Sequence, residues 1–182
     1  NNIKLVHIGS GCIFNYNYQK SKPIKEGDQD YFFKLYYSRS KIYSERSLEV
    51  LVKDYNILIT RIRIPLLNIR HPKNVLDKLL KYKKVIDIPN SVTYIPDFIK
   101  AIKHLIKIDA RGVYNLVNKG GLRYPKLMQI YQKYVPEFKF KVIALKKLGL
   151  IRTNLLLSTN KLEKTGFKVR NINSVLEECV KE

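Results

Sequence analysis

The 182-residue sequence has little of what defines several protein classes. Its two cysteines, Cys12 and Cys179, are too few for a disulfide framework, which favours a reducing, cytoplasmic compartment. No apolar run approaches the ~18 residues of a membrane helix, and no charged-then-apolar signal segment is seen, so we expect no membrane partner. The three histidines show no metal-ligand spacing, so we expect no metal site.

Acidic residues are also scarce, with Asp+Glu 15 against Lys+Arg 35 and a formal net charge of +20. Such a charge can indicate nucleic-acid binding. However, lysine predominates here, whereas recognition of phosphates and base edges relies more on the planar arginine fork. The lysines are scattered and form no compact basic block. We therefore expect no nucleic-acid partner, although part of the charge could serve a diphosphate-bearing substrate.

Glycine is infrequent as well, with 8 residues, and no glycine-rich loop follows the first apolar segment to bind a cofactor pyrophosphate. Gly9-Ser10-Gly11 and Gly120-Gly121 lack the required spacing and the helix that should follow. The sequence starts with Asn and enters an apolar segment almost at once. We interpret it as a fragment of a longer protein, without the first strands of a dinucleotide-binding sheet, and we expect activity to need them.

The rest of the sequence alternates between segments with strand periodicity and segments with helical periodicity. β-branched runs predict strands at 3–9, 57–64, 85–88 and 112–117, the first of them buried. Helical spacing predicts helices at 37–55, from Pro72 onward, at 96–108, at 122–135 and at 172–180. This order predicts an α/β fold, the C-terminal part of a Rossmann-like doubly wound parallel sheet. The carboxyl ends of its strands would bring Ser10, Pro65 and Asn118 to one rim.

Insertions interrupt this sheet after Pro65 and after Asn118. We predict four segments: 1–65 as the catalytic part of the Rossmann-like domain, 66–95 as a small inserted substrate lobe, 96–117 as the last helix and strand of the sheet, and 118–182 as the C-terminal substrate lobe.

The candidate chemistry starts from Tyr37 and Lys41, which a helix places one turn apart on the same face. A nearby ammonium favours the phenolate, so such a pair can donate a proton to a ketone oxygen while a hydride reaches the carbon. The Tyr-x-x-x-Lys spacing occurs three times here, about as often as chance. Only Tyr37/Lys41 opens a predicted helix between two predicted strands, after a strand that ends in Ser10.

Three segments in order carry a family resemblance: Ser10-Gly11-Cys12-Ile13-Phe14, Tyr37-Ser38-x-Ser40-Lys41 and Arg61-Ile62-Arg63-Ile64-Pro65. They resemble the extended short-chain dehydrogenase/reductases, and among these the nucleotide-rhamnose epimerase/reductases, which convert UDP- or dTDP-4-keto-6-deoxyglucose to the rhamnose form. Further matches in family order cover essentially the whole chain: Pro72-x-Asn74, Lys78, Ile88 to Thr93, Gly112-x-Tyr114-Asn115 and Asn118-x-Gly120. The resemblance is to the C-terminal two thirds of such enzymes.

The resemblance implies roles for individual residues. Tyr37 would donate the proton in ketone reduction, and Lys41 would hold the nicotinamide ribose of NADPH or NADH. Ser10, where these enzymes usually have threonine, keeps the hydroxyl that fixes the ketone oxygen. Cys12 would be the acid/base of epimerisation, as in the similar GDP-fucose synthase, with Lys78 as the second. Pro65 would border the cofactor, and the substrate contacts would be Asn74, Asn90 and Thr93.

Other interpretations stay open at this point. Cys12 could be a small packing residue, Lys78 a solvated side chain, and Asn74, Asn90 and Thr93 caps of helices and turns. The whole chain could act on another nucleotide sugar as a dehydrogenase, epimerase or dehydratase. It could also be an inactive remnant or a basic binding module. The sequence leaves open UDP or dTDP, NADH or NADPH, and whether a homodimer forms.

Overall fold

The computed structural model describes residues 3–18, 21–149 and 151–181. At its centre is a parallel sheet of three strands in the order β1 (Leu5–Ser10), β2 (Ile57–Ile62) and β6 (Gly112–Asn115). Helix α1 (Tyr36–Leu51) connects β1 to β2, and helix α3 (Ile95–Lys107) precedes β6. The predicted α/β class and the parallel, Rossmann-like order of strands are confirmed.

The two faces of the sheet are covered by different helices. Along β2, Ile57 and Ile59 pack with Leu48 of α1, whereas Leu58 packs with Ala101 and Leu105 of α3. Successive side chains of a strand point to opposite faces, so an uninterrupted apolar strand needs a helix on each side. The continuous apolar run of β2 is therefore explained by its central position between α1 and α3.

β1 differs from its prediction as a buried strand. Leu5 and Ile8 are about half exposed, and only Gly9 and Ser10 are buried at its end. The cause is position: within the described residues β1 pairs only with β2 and forms an edge of the sheet. An edge strand has one neighbour instead of two, so apolar side chains there lose part of their cover.

The remaining elements form a second layer of structure beside the sheet. They include two small parallel pairs, β3 (Pro65–Leu66) with β5 (Thr93–Tyr94) and β4 (Lys84–Ile86) with β7 (Lys141–Ile143). Helices α2 (Val75–Tyr82) and α4 (Tyr124–Tyr134) pack here, and α5 (Asn160–Glu163) lies against β6. Apart from α5, whose Leu162 packs with Leu58 and Leu105 in the core between the sheet and α3, their apolar side chains share one large core, including Leu66, Leu76, Leu79, Val85, Leu122, Leu127, Met128 and Ile172.

Two predicted elements need correction. The strand predicted to reach Ile64 ends at Ile62, and the chain turns through Arg63 before Pro65 starts β3. The helix predicted at 172–180 is two 3₁₀ turns, Ile172–Ser174 and Glu177–Cys179. Its buried side chains, Ile172, Val175, Leu176 and Cys179, have the spacing of a helix face, but separate 3₁₀ turns bring the same residues to the core.

Candidate active site

The centre of the site is the turn that follows β1. Ser10 Oγ accepts a hydrogen bond from the backbone N–H of Cys12 at 3.1 Å, which closes the turn. The Cys12 carbonyl oxygen in turn accepts from Ser38 Oγ, in the first turn of α1, at 2.6 Å. Ser10 is buried, and since a serine hydroxyl can donate while its oxygen accepts, this contact does not use its O–H. The end of β1 and the start of α1 are therefore joined directly.

Gly11, between these two residues, is in a position where no side chain fits. A Cβ built there would lie 2.6 Å from Leu157 Cδ1 and 3.0 Å from Arg63 Cδ. These distances are below ordinary contact, so the glycine allows the Arg63 side chain to pass directly against the turn. The arginine reaches Cys12 by this route.

Arg63 is the residue that contacts Cys12 most directly. It is 2% exposed, and its Nη1 donates to Cys12 Sγ at 2.6 Å. The same nitrogen lies 3.2 Å from Thr153 Oγ1, while Nη2 donates to the Thr153 carbonyl and to Asn90 Oδ1, each at 2.7 Å. The guanidinium therefore has a fixed orientation with one edge at the thiol.

Asn90 connects this arginine to a neighbouring segment of chain. Besides Arg63, its Oδ1 accepts from the Leu155 backbone N–H at 3.2 Å, and its Nδ2 donates to Asn154 Oδ1 at 2.9 Å. Thr93 supports the arginine from the other side, because its Oγ1 accepts the Arg63 backbone N–H at 3.0 Å. Both predicted substrate residues thus lie at the site, with their polar atoms engaged by the protein.

The Tyr37/Lys41 pair lies on the first turns of α1, as predicted. Lys41 Nζ is 5.8 Å from the centre of the Tyr37 ring, and Tyr37 is 51% exposed. On the β1 side, burial lowers the pKa of His7, and the charge of Lys41 lowers it further, against the opposite effect of Glu45. Tyr37 and Lys41 therefore form an exposed polar surface on α1, with His7 of β1 close enough to feel the charge of Lys41.

A cavity of about 220 Å³ has Tyr18, Arg152, Thr153 and Asn154 in its wall, and Thr153 also contacts Arg63. The Tyr18 hydroxyl is buried without a hydrogen-bond partner among the described residues, and burial raises its pKa. Burial likewise raises the pKa of Tyr124, against the charges of Arg152 and Arg63. The cavity wall therefore combines the Tyr18 phenol, which stays protonated, with the Arg152 cation, and Tyr124 and Arg63 lie behind it as neighbours of Arg152 and Thr153.

Three other predicted residues lie away from this centre or carry other contacts. Asn74 is the N-cap of α2, where its Oδ1 accepts from the Leu76 N–H at 3.3 Å and from the Leu67 N–H at 3.2 Å. Lys78 is exposed on α2. Pro65 starts β3 and is partly buried, next to Thr93 in register. Their roles toward cofactor and substrate stay predictions.

Arg63, Thr153 and Arg152 are the residues that sequence reasoning missed. Arg63 belonged to the quoted Arg61-Ile62-Arg63-Ile64-Pro65 motif, but strand alternation gave no reason to point it at Cys12. Its place at the end of β2, directly opposite the turn after β1, was the available signal. Thr153 and Arg152 lie in a segment without periodicity, so nothing in the sequence indicated them.

Two general searches of the described residues give no additional site. No group of three or more His, Cys, Asp or Glu side chains in residues 3–18, 21–149 and 151–181 could hold a metal ion. Over the same residues, no helix is long and apolar enough to cross a membrane.

Comparisons with known proteins give a consistent set of relatives, although no protein-family model matches the sequence. The chain is 30% identical over 190 residues to a bifunctional dTDP-4-dehydrorhamnose 3,5-epimerase/dTDP-4-dehydrorhamnose reductase of Arabidopsis thaliana, over 97% of this chain and 60% of that protein. It is 28% identical over 192 residues to an Arabidopsis trifunctional UDP-glucose 4,6-dehydratase/UDP-4-keto-6-deoxy-D-glucose 3,5-epimerase/UDP-4-keto-L-rhamnose-reductase, over 100% of this chain and 28% of that protein.

Solved structures agree with these relatives. The UDP-rhamnose synthase L780 of Acanthamoeba polyphaga mimivirus superposes with a TM-score of 0.88 at 27% identity, over 98% of this chain and 64% of that one. A dTDP-4-dehydrorhamnose reductase of Bacillus anthracis, solved with NADP, has a TM-score of 0.77 at 20% identity, over 96% and 64% respectively, which shows the shared fold. The chain thus spans less than two thirds of the proteins it matches, and the matched part is C-terminal.

Proposed function

We propose that this chain, a homologue of the nucleotide-rhamnose epimerase/reductases, forms the catalytic and sugar-binding part of such an enzyme. Its substrate would be UDP- or dTDP-4-keto-6-deoxyglucose and its product the L-rhamnose nucleotide. The observation that carries this proposal is the turn after β1, where Ser10, Cys12 and Ser38 join a ketone-binding hydroxyl and an acid/base thiol to the helix of Tyr37 and Lys41.

In the reduction, Ser10 and Tyr37 would act on the same ketone oxygen. The Ser10 O–H would orient that oxygen, and the Tyr37 phenol would give it a proton as the C–O⁻ charge develops. Lys41, whose ammonium lies over the Tyr37 ring, would stabilise the phenolate that remains. The bound NADPH or NADH supplies the hydride that reduces the ketone carbon.

The residues present fit one end of that cofactor. Tyr37, Lys41 and Pro65 would hold the nicotinamide and its ribose, and the exposed first turns of α1 leave room for them. The sequence holds no glycine-rich loop for the pyrophosphate. We therefore assign to this chain the nicotinamide end of the cofactor site.

In the epimerisation, Cys12 would move protons at the carbons that flank the ketone. Hydrogens on these carbons are acidic because the ketone stabilises the resulting enolate, which can be reprotonated on the opposite face. Lys78 would be the second acid/base, and Asn74, Asn90 and Thr93 would contact or shape the sugar site. Arg152, in the cavity wall, and Arg63, which contacts Thr153 of that wall, support the binding of an anionic nucleotide sugar there.

We further propose that the enzyme is cytoplasmic and forms a homodimer. The free thiols Cys12 and Cys179 support a reducing compartment. On α1, Tyr36, Tyr43 and Val50 are exposed at intervals of seven residues, which puts them near one face of the helix. Light scattering of Tyr43→Lys against the wild type would test the dimer, because a charge on that face should shift the mass toward a monomer.

The central experiment uses the intact gene product that contains this chain, with UDP- or dTDP-4-keto-6-deoxyglucose in D₂O and with NADPH or NADH. We expect oxidation of the cofactor and deuterium at the carbons beside the ketone. Tyr37→Phe should lower reduction by about 100-fold or more, because the proton donor is lost. Tyr43→Phe, an exposed tyrosine of the same helix, is the matched control.

Different variants should affect the epimerisation and the reduction separately. Cys12→Ala or Lys78→Ala should block deuterium incorporation, whereas Lys81→Ala, another exposed lysine of α2, should not. Undiminished reduction in Tyr37→Phe would contradict the proposal. Salt-sensitive nucleic-acid binding without any turnover would instead favour a basic binding module.

A further inference from the structure

We propose that Arg63 is a positioning residue for Cys12, which fixes the sulfur toward the substrate and balances its charge whenever it gives up its proton. The proposal deepens the function proposed above and rests on it for the identity of the reaction. The contact itself, between Arg63 Nη1 and Cys12 Sγ at 2.6 Å, is independent of that function.

Hydrogen bonds on one edge and close packing along the stem fix the Arg63 guanidinium. Nη2 is held between the Thr153 carbonyl and Asn90 Oδ1, both at 2.7 Å, and Gly11 leaves no space between the arginine stem and the turn. The two acceptors on Nη2 fix the plane of the guanidinium, and in that plane Nη1 is directed at the Cys12 sulfur, with Thr153 Oγ1 as its second contact. The buried Nε–H has no hydrogen-bond partner among the described residues.

Arg63 is buried, yet no carboxylate forms an ion pair with it anywhere in the described parts of the chain. All its acceptors are neutral oxygens, except for the one group that can become an anion, the Cys12 thiol. A buried cation without a counter-charge is costly, so proteins retain such groups where an anion is bound or formed. Here the anion would be the thiolate itself.

A nearby residue provides the contrast. Arg61 is equally buried, but Glu45 neutralises it with contacts of 2.7 Å and 3.0 Å from Oε1 to Nη2 and Nε. The same strand end therefore holds one arginine with a structural carboxylate and one without. Only the second points at a nucleophilic side chain.

Proton transfer between Cys12 and the sugar changes the charge on the sulfur atom. When Cys12 protonates the enolate, the S–H bond breaks, a C–H bond forms, and the electron pair stays on sulfur as a thiolate. When Cys12 acts as base, the thiolate takes the proton from carbon, and the enolate keeps the charge. In both directions the negative charge on sulfur changes by one, and Arg63 N–H faces it throughout. A cation beside sulfur favours the thiolate.

The first test measures the thiol without any substrate, through the rate at which iodoacetamide alkylates Cys12 near neutral pH. Cys179 in the same chain is an internal reference, because burial raises its pKa to about 12 and its thiol stays protonated. We expect Arg63→Gln to slow alkylation of Cys12 by roughly tenfold, because the thiolate loses its cation. Arg63→Lys, which keeps the charge but not the fork, should lie between the two. Arg111→Gln, an exposed arginine, is the control.

The direction of the change in the alkylation rate of Cys12 distinguishes a positioning role of Arg63 from a role in packing alone. If Arg63 only supported the fold, its loss would loosen the turn, expose the thiol and speed alkylation. A folded Arg63→Gln protein that reacts as fast as the wild type, or faster, would overturn the proposal. Should Arg63→Gln fail to fold, Arg63→Lys decides: a slower rate supports the proposal, and an unchanged rate refutes it.

The second test measures solvent deuterium exchange with UDP-4-keto-6-deoxyglucose. A misplaced sulfur should lower kcat for exchange by about 100-fold in Arg63→Gln, with little change in KM. If the wild type exchanges and both Arg63 variants match it, the role of Arg63 is refuted while the epimerase function stands. If the wild type exchanges nothing, the epimerase function fails, and the alkylation result alone still decides whether Arg63 controls the thiol.

Discussion

Arg61 and Arg63 are two residues apart and nearly equally buried, but they have opposite surroundings. Arg61 lies inside the sheet domain, with Glu45 of α1 as its carboxylate, the Glu26 carbonyl at 3.0 Å and the Phe14 ring 4.9 Å from its guanidinium carbon. Arg63 lies where the sheet meets the second layer, with neutral acceptors and a thiol.

The different surroundings give the two arginines different expected roles, Arg61 in stability and Arg63 in function, although they lie in one short segment. A buried ion pair with several hydrogen bonds is satisfied and has nothing left to offer a ligand. Arg63 has neutral partners at its two terminal nitrogens, but its buried Nε–H has no partner among the described residues and no carboxylate there balances its charge. We therefore expect loss of the Arg61 partner to affect folding most, and changes around Arg63 to affect chemistry most.

The largest effect on stability should come from Glu45→Ala. It leaves Arg61 charged, buried and without a counter-ion, which should lower the free energy of unfolding by about 3–5 kcal/mol. Urea denaturation followed by circular dichroism measures this loss. Glu137→Ala, at an exposed glutamate, should change it little. The double variant Glu45→Leu/Arg61→Met should recover most of the loss, and a double variant as unstable as Glu45→Ala would contradict this account.

A smaller effect is expected from Gly11→Ala, which acts on the Arg63 side of the comparison. The new Cβ must push away Leu157 or the Arg63 stem, which should cost about 1–3 kcal/mol of unfolding free energy. The displacement of Arg63 should also slow alkylation of Cys12. Gly27→Ala is a suitable control, because nothing lies within 4 Å of a Cβ there. Equal stability of the two variants would show that the turn is looser than described.

The smallest effect concerns His7, which faces Glu45 and Lys41 from β1. Burial, followed by the charge of Lys41, lowers its pKa from 6.5, so the folded protein disfavours the charged imidazole. The unfolded chain binds a proton near pH 6.5 and the folded chain only at lower pH, so stability should fall as the pH drops through 6.5. Thermal denaturation between pH 7.5 and about 5 should show a shallower decrease in His7→Gln. A steeper decrease would mean that Glu45 outweighs burial and Lys41.

Most of the fold could be predicted from the sequence because its signals are local. β2 and α3 have the apolar spacing of a central strand and an amphipathic helix, and both were located within a few residues. The errors arose where a property depends on distant neighbours. β1 has the composition of a buried strand, but its burial depends on how many strands flank it. Residues 172–180 have helical spacing, but the core they join accepts two 3₁₀ turns.

The site shows the same division. Ser10, Cys12, Tyr37 and Lys41 were predicted because they occur in order within recognisable segments; the structure joins their two elements through Ser38, and their catalytic roles stay predictions. Arg63 and Thr153 are 90 residues apart in sequence and meet only in the folded chain. No periodicity encodes such a contact. Residues that position other residues are therefore the part of a site that sequence reasoning misses most easily.

The hydrogen bond from Ser38 Oγ to the Cys12 carbonyl has a consequence for the order of events in catalysis. It joins the helix that carries the phenol to the turn that carries the thiol, so the folded chain holds these two elements together at this point. In the proposed enzyme both reactions concern a single ketone. A sugar bound once would therefore meet the epimerising and the reducing groups at a spacing set by folding, with no need to leave or turn over between the two reactions.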